Sequence, residues 1–109
     1  MKKIIDGVRY DSSKAIKVGE YDNLGSGADS RSDFNYWEAV LYRTPRSGRF
    51  FIVGEGGPQT RFSQSAGQNS WTGGDDLIPM SKQEALQWAE RYLEPAEIEE
   101  HFSDMIEDA

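Results

Sequence analysis

The chain has 109 residues, 37% of them hydrophobic and 12% aromatic, with no cysteine and a formal net charge of −7. That length and apolar content suit a single domain, 1–109, and the missing cysteines exclude disulfides, thiolate zinc sites and a cysteine nucleophile. No segment approaches the ~20 apolar residues of a membrane span, and the start has no cleavage pattern, so a soluble, cytoplasmic protein with no membrane partner is expected.

In chain order, Lys3-Ile4-Ile5 and Val8-Arg9-Tyr10 flank Asp6-Gly7, a two-residue turn signal that predicts a β-hairpin. Asp11, Ser12 and Ser13 offer N-caps for a short early helix carrying Ala15, Ile16 and Val18 and ending near Gly19. Asn23 to Ser32 is polar, small and glycine-bearing, and reads as an exposed, mobile loop. Phe34 to Arg43 is aromatic and β-branched, as a strand should be, and Arg49 to Val53 returns from a turn at 44–48 to close a second hairpin. Arg43, Arg46 and Arg49 make that turn basic. They can hold a phosphate or an acidic protein, or simply keep an exposed tip soluble.

The block from Gly54 to Gly74 holds six of the eleven glycines. Long ordered loops in small domains lean towards function, which makes Glu55, Gly56, Gly57, Arg61, Asn69 and Trp71 a candidate ligand-binding loop. Backbone N–H groups at Gly56 and Gly57 with Arg61 would hold an anion; Trp71 would stack on a base and Asn69 would read its edge. In the plainer alternative Trp71 and Phe62 pin the loop to the sheet and Arg61 pairs with Glu55. The block lacks the endings of a P-loop and of a dinucleotide fingerprint.

Leu77 to Met80 is a short apolar run that Pro79 marks as an edge strand or a strand end. Ser81 and Glu84 form a capping box that opens a helix running to about Leu93, with Ala85, Trp88, Ala89 and Tyr92 on its buried side. Pro95 fits the first turn of a second helix, whose Ile98 and Phe102 face the body. Residues 1–80 carry ten basic and ten acidic side chains, whereas 81–109 carry two and nine, so the excess negative charge sits in the C-terminal segment. There Glu97, Glu100, Asp104 and Glu107 step by three and four along one face and form a candidate protein-binding stripe. The fold class expected from these elements is α+β: a small antiparallel sheet built from two hairpins, one short early helix and two C-terminal helices packed on the sheet.

No catalytic set is apparent. The single histidine, His101, lies four residues after Glu97, but one histidine without cysteine does not make a zinc site, and a solvated helix histidine is expected. Ser63 and Ser65 lack a nucleophile-elbow pattern, and Asp75-Asp76 lacks the ligand spacing of a calcium loop. The residues therefore point to a protein that is not an enzyme and takes neither metal nor cofactor.

Leu41-Tyr42-Arg43-Thr44, Gly48, Gly54-Glu55-Gly56-Gly57, Asn69-Ser70-Trp71 and Ile78-Pro79 form a pattern with Ile4-Ile5-Asp6-Gly7, Arg9-Tyr10-Asp11, Glu84-Ala85, Trp88-Ala89 and Tyr92-Leu93. In these the chain resembles, over almost its full length, a family of small proteins carried by phages, plasmids and integrative elements of bacteria, which includes a reported type II-A anti-CRISPR, an inhibitor of Cas9. The resemblance implies a mobile-element counter-defence protein in the bacterial cytoplasm that binds a defence nuclease, Cas9, stoichiometrically and has no direct contact with nucleic acid. An acidic stripe seated in a positively charged channel agrees with that. Two alternatives stay open: a protein that sequesters an anionic nucleotide signal in the glycine-rich loop, and an accessory protein of the element. A homodimer through the exposed second hairpin is a further option.

Overall fold

Asp6 and Gly7 both take positive φ, 51° and 77°, which is the turn geometry that matches the twist of the flanking strands. They join β1 (Lys2–Ile5) to β2 (Val8–Asp11) in a two-stranded antiparallel sheet with Ile5 opposite Val8. A computed structural model describes residues 1–68 and 70–109 of the chain.

After one 3₁₀ turn at Ser12–Lys14, capped by the Asp11 carboxylate, the chain extends into β3 (Ile16–Asp22). The short early helix is thus corrected to a turn followed by a strand. Ile16 and Val18 are β-branched and spaced by two, which suits a strand, and Gly19 inside a helix would cost about 1 kcal/mol relative to alanine. At Gly19 the strand receives Leu93, whose Cδ1 would stand 2.7 Å from any added Cβ.

β3 pairs with β4 (Trp37–Arg43), β4 with β5 (Phe50–Gly56), and β5 with β8 (Gly74–Met80), all antiparallel, in the order β3-β4-β5-β8. Between β5 and β8 the chain makes a small exposed hairpin, β6 (Gln64–Gly67) with β7 (Ser70–Thr72). Among the described residues there are two α-helices and eight strands in three sheets. The expected sheet of two hairpins is therefore overturned. The main sheet has four strands, the first hairpin stands apart from it, and the glycine-rich block supplies a third hairpin. Pro79 lies in β8, at the sheet edge, where a missing N–H is tolerated.

α1 (Lys82–Tyr92) and α2 (Pro95–Phe102) follow directly. Ser81 accepts from Glu84 N at 3.1 Å, and Glu84 Oε1 accepts from Ser81 N at 2.8 Å, closing the capping box. Both helices pack on one face of the sheet. Ala85, Leu86, Trp88, Ala89, Leu93 and Phe102 are buried there against Ala39, Leu41, Phe50 and Ile52. Phe102 stacks on Phe50 with centroids 4.9 Å apart; a fully buried phenylalanine contributes about 1.5–3 kcal/mol.

The opposite face is only part-covered. Tyr10 of the first hairpin packs there on Phe51 and Leu77, with Tyr42 and Val53 alongside. Beyond the reach of that hairpin this face is open.

The segment after β3 is exposed at eight of the ten residues 23–32, as expected, and is anchored at Asn23 and Ala28, which are buried. Asn23 is only 7% exposed. Its Nδ2 donates to Asn35 O at 2.8 Å, its Oδ1 accepts from Trp37 N at 2.8 Å, and its carbonyl accepts from the N–H groups of Ser26, Gly27 and Ala28. A buried amide satisfied on both ends fixes the backbone around it, so 23–37 is a built loop.

Candidate functional site

Strand register gathers four acidic residues that lie far apart in the sequence. Asp22 lies opposite Glu38, Glu38 opposite Glu55, and Glu55 opposite Asp75. Directly opposed residues share a face, so one carboxylate from each of the four strands stands in a single row across the sheet. Neighbouring strands are ~4.8 Å apart, which gives the row a span of roughly 15 Å. Alternation along β4 puts Glu38 on the same side as Val40 and Tyr42, the open face beyond the first hairpin.

Two clefts flank the row. The larger, about 630 Å³, is lined by Met1, Glu20, Asp22, Glu38, Glu55 and Asp75 together with Val40 and Val53. The second, about 520 Å³, shares Glu55 and Asp75 and adds Arg31, Phe34, Tyr36, Gly56 and Gly57. Phe34, 64% exposed, forms its lip.

The row is only partly compensated. Arg31 approaches Glu38 at 3.5 Å and lies over the Tyr36 ring, and the Tyr36 hydroxyl donates to Glu38 Oε2 at 2.9 Å. The hydrogen bond between the Glu38 and Glu55 carboxyls pushes Glu55 above the ordinary carboxylate range, reinforced by the charge of Glu38, burial and Asp75. The same hydrogen bond, then Tyr36 and Arg31, holds Glu38 below it. The opposite shifts have one cause, the approach of two carboxyls across the strand pair, so that Glu38 ionises ahead of Glu55. Tyr36, part of the same network, is pushed up by burial and by its bond to Glu38.

The structure separates the residues of the candidate loop. Glu55, Gly56 and Gly57 line one cleft. Arg61 lines another, on the helix side, with Asn23, Trp37, Phe62, Trp88 and Tyr92. Trp71 stands on β7, 63% exposed, and Asn69 lies outside the described residues. The Gly57 N–H is consumed by Tyr36 O at 2.8 Å, and Gly56 lies within the sheet, opposite Trp37 and Gly74. These glycines serve close approach. A Cβ on Gly57 would overlap the backbone of Phe34, and one on Gly54 would stand 2.5 Å from Phe62 Cζ and 2.6 Å from Glu38 O. Phe62, 1% exposed, thus plugs the helix-side core over Gly54, while Trp71 does not pin the loop.

The acidic stripe of the C-terminal segment is interrupted. α2 ends at Phe102, so Asp104 falls in a 3₁₀ turn and Glu107 beyond it. Glu97 is engaged as the partner of Glu94 N at 3.2 Å, and Asp104 pairs with Lys82 Nζ at 2.6 Å, which also lowers its pKa. Glu100 remains exposed beside His101. The histidine expected to be solvated has a side chain only 5% exposed. Among the described residues no group of three or more His, Asp or Glu is placed to hold a metal ion, and no helix is long and apolar enough to cross a membrane.

The four-strand carboxylate row was missed in sequence reading because its members lie 16, 17 and 20 positions apart and only the register of the sheet aligns them. Comparison of the chain with protein-family models, with curated proteins and with solved structures gives no match.

Proposed function

We propose that this is a non-enzymatic counter-defence protein of a mobile element that inhibits a nuclease, Cas9, by stoichiometric binding in the cytoplasm of the bacterial host. The observation that carries the reading is the row Asp22, Glu38, Glu55 and Asp75, four carboxylates presented on an open sheet face. Cas9-type enzymes hold a nucleic-acid duplex in a positively charged channel and read it through its backbone. A rigid line of carboxylates about 15 Å long is complementary to such a wall, and the sequence resemblance points to the same class of target. The C-terminal stripe is the weaker interface, since Glu97 and Asp104 are engaged within the fold.

The test is binding and DNA cleavage with purified Cas9–guide complex across a salt series. A stoichiometric complex at low salt, with cleavage suppressed, is expected. Cleavage unchanged by excess protein at every salt concentration removes the reading. The nucleotide-sequestering alternative has no comparable support: among the described residues Arg61 lines a helix-side cleft with Trp37 and Tyr92, Trp71 stands exposed on β7, and the Gly57 N–H is already bonded.

A further inference from the structure

The opposite end of the sheet carries the opposite charge. Between the first hairpin and the turn joining β4 to β5 lies a cleft of about 250 Å³, whose walls include Arg9, Lys14, Thr44, Arg46, Ser47 and Arg49. Three separate segments bring these side chains together: β2, the 3₁₀ turn and the β4–β5 turn.

Among the described residues none of these four cations forms an ion pair. The carboxylate in the cleft wall, Asp11, is occupied. It accepts from Ser13 N at 3.0 Å and from Ser13 Oγ at 2.7 Å. Four cations against the single Asp11 carboxylate, which feels the charge of Lys14, leave the concavity with a net positive charge, and an anion relieves the remaining repulsion.

The neutral donors point the same way. The Arg49 N–H donates to Thr44 Oγ1 at 2.9 Å, and Thr44 Oγ1 lies 2.9 Å from Ser47 Oγ. Whichever hydroxyl donates within that pair, the Thr44 and Ser47 oxygens stand together in the cleft wall. Guanidinium forks and a hydroxyl around a small concavity are the donor set that a phosphate group takes.

We propose that this cleft is a phosphate site for a small anion bearing a phosphomonoester or diphosphate group. Its size sets the class, since about 250 Å³ lies just under the ~300 Å³ lower bound of ordinary ligand pockets and suits a phosphate and its immediate attachment. The net charge of −7 excludes a long polyanion, whose remaining phosphates would run out of the positive field within a Debye length of ~8–10 Å and meet the acidic surfaces. The site is independent of the target assigned above, and its failure leaves that reading untouched.

Isothermal titration with pyrophosphate, and separately with inorganic phosphate, at constant ionic strength tests the proposal. Saturable one-to-one binding of pyrophosphate is expected, weakened at least tenfold in the doubly substituted Arg46→Ala, Arg49→Ala protein, with Lys82→Ala as an unaffected control. All three positions are exposed, and thermal melts confirm that the variants fold. Absence of saturable heat, or equal affinity in the double variant, overturns the site. A short single-stranded oligonucleotide with and without a 5′-phosphate resolves the source. Binding only of the phosphorylated strand supports a terminal phosphate, whereas equal binding of both strands without pyrophosphate binding assigns the cleft to nucleic-acid backbone and overturns the small-anion proposal.

Discussion

Gly54 and Glu55 are adjacent in β5 and serve opposite faces of the sheet. At Gly54 the missing side chain leaves the space that Phe62 fills, with a would-be Cβ 2.5 Å from Phe62 Cζ and 2.6 Å from the carbonyl oxygen of Glu38. Gly54→Ala should therefore destabilise by ~1–3 kcal/mol, the range for overpacking a tight core, and Phe62→Ala by ~3–5 kcal/mol through the cavity it leaves. Because one clash depends on the Phe62 ring, the double variant should lose less than the sum of the two in urea unfolding; strict additivity would show that Phe62 does not pack over Gly54. On the other face, Glu55 has a raised pKa in the folded state, so the stability it contributes is present at low pH and is lost as pH rises through that value. Glu38, lowered, has the reverse sign: its contribution is present above the ordinary carboxylate value of 4.5 and is lost on acidification. Glu55→Gln keeps a donor to Glu38 and removes the charge. At pH 7 it should gain ~0.5 kcal/mol, within the cross-strand pair scale and discounted for solvent exposure. The gain should vanish below about pH 4.5. A wild-type minus variant difference that is flat across a pH series of thermal melts would show that Glu38 does not raise the Glu55 carboxyl.

At the scale of elements, the signals that were legible are those written in local chemistry. Asp6-Gly7 gives the turn whose positive φ values appear, and Ser81 with Glu84 gives the capping box at the start of α1. Ser81→Ala removes the acceptor for Glu84 N and should cost about 1 kcal/mol, read as a lower urea midpoint with an unchanged slope; no shift in midpoint would mean that α1 is held by packing alone. The elements that were misread depend on partners distant in the chain. Ser12 and Ser13 are good caps, yet Ile16 and Val18 follow β4 into the sheet, because a seven-residue strand paired along β4 and roofed by Leu93 outweighs a short helix ending in glycine. The polar run after β3 is exposed as its composition predicts, but its anchor, Asn23, is set by bonds to Asn35 and Trp37, twelve and fourteen residues away. In the glycine-rich block, Gly54 and Gly57 answer to close packing around Phe62 and Phe34. Contacts of that kind leave no periodic trace in a sequence.

At the scale of the whole molecule, an acidic row and a basic cleft occupy opposite ends of one sheet. Glu38 of the row and Thr44 of the cleft lie six residues apart along the chain, or roughly 20 Å at ~3.3 Å per residue. Such a charge distribution orients an approaching partner before contact, and a focused field changes association rates by 10–10³-fold with strong salt dependence. If the acidic end meets the basic channel of Cas9, the doubly reversed variant Glu55→Lys, Asp75→Lys should associate at least tenfold more slowly at low salt, and the difference from wild type should shrink as salt rises past the Debye regime. The Arg46→Ala, Arg49→Ala variant removes charge from the far end and should keep or slightly raise the association rate. Biolayer interferometry with immobilised Cas9–guide complex separates these outcomes, because steering acts on association while a lost close contact acts on dissociation. Loss of binding in the basic-end variant with none in the acidic-end variant would place the interface at the β4–β5 turn instead. The row of Asp22, Glu38, Glu55 and Asp75 would then be a solubilising surface, and the pH behaviour argued for Glu55 would still hold, since it depends on its neighbours within the fold, Glu38 and Asp75, and on burial.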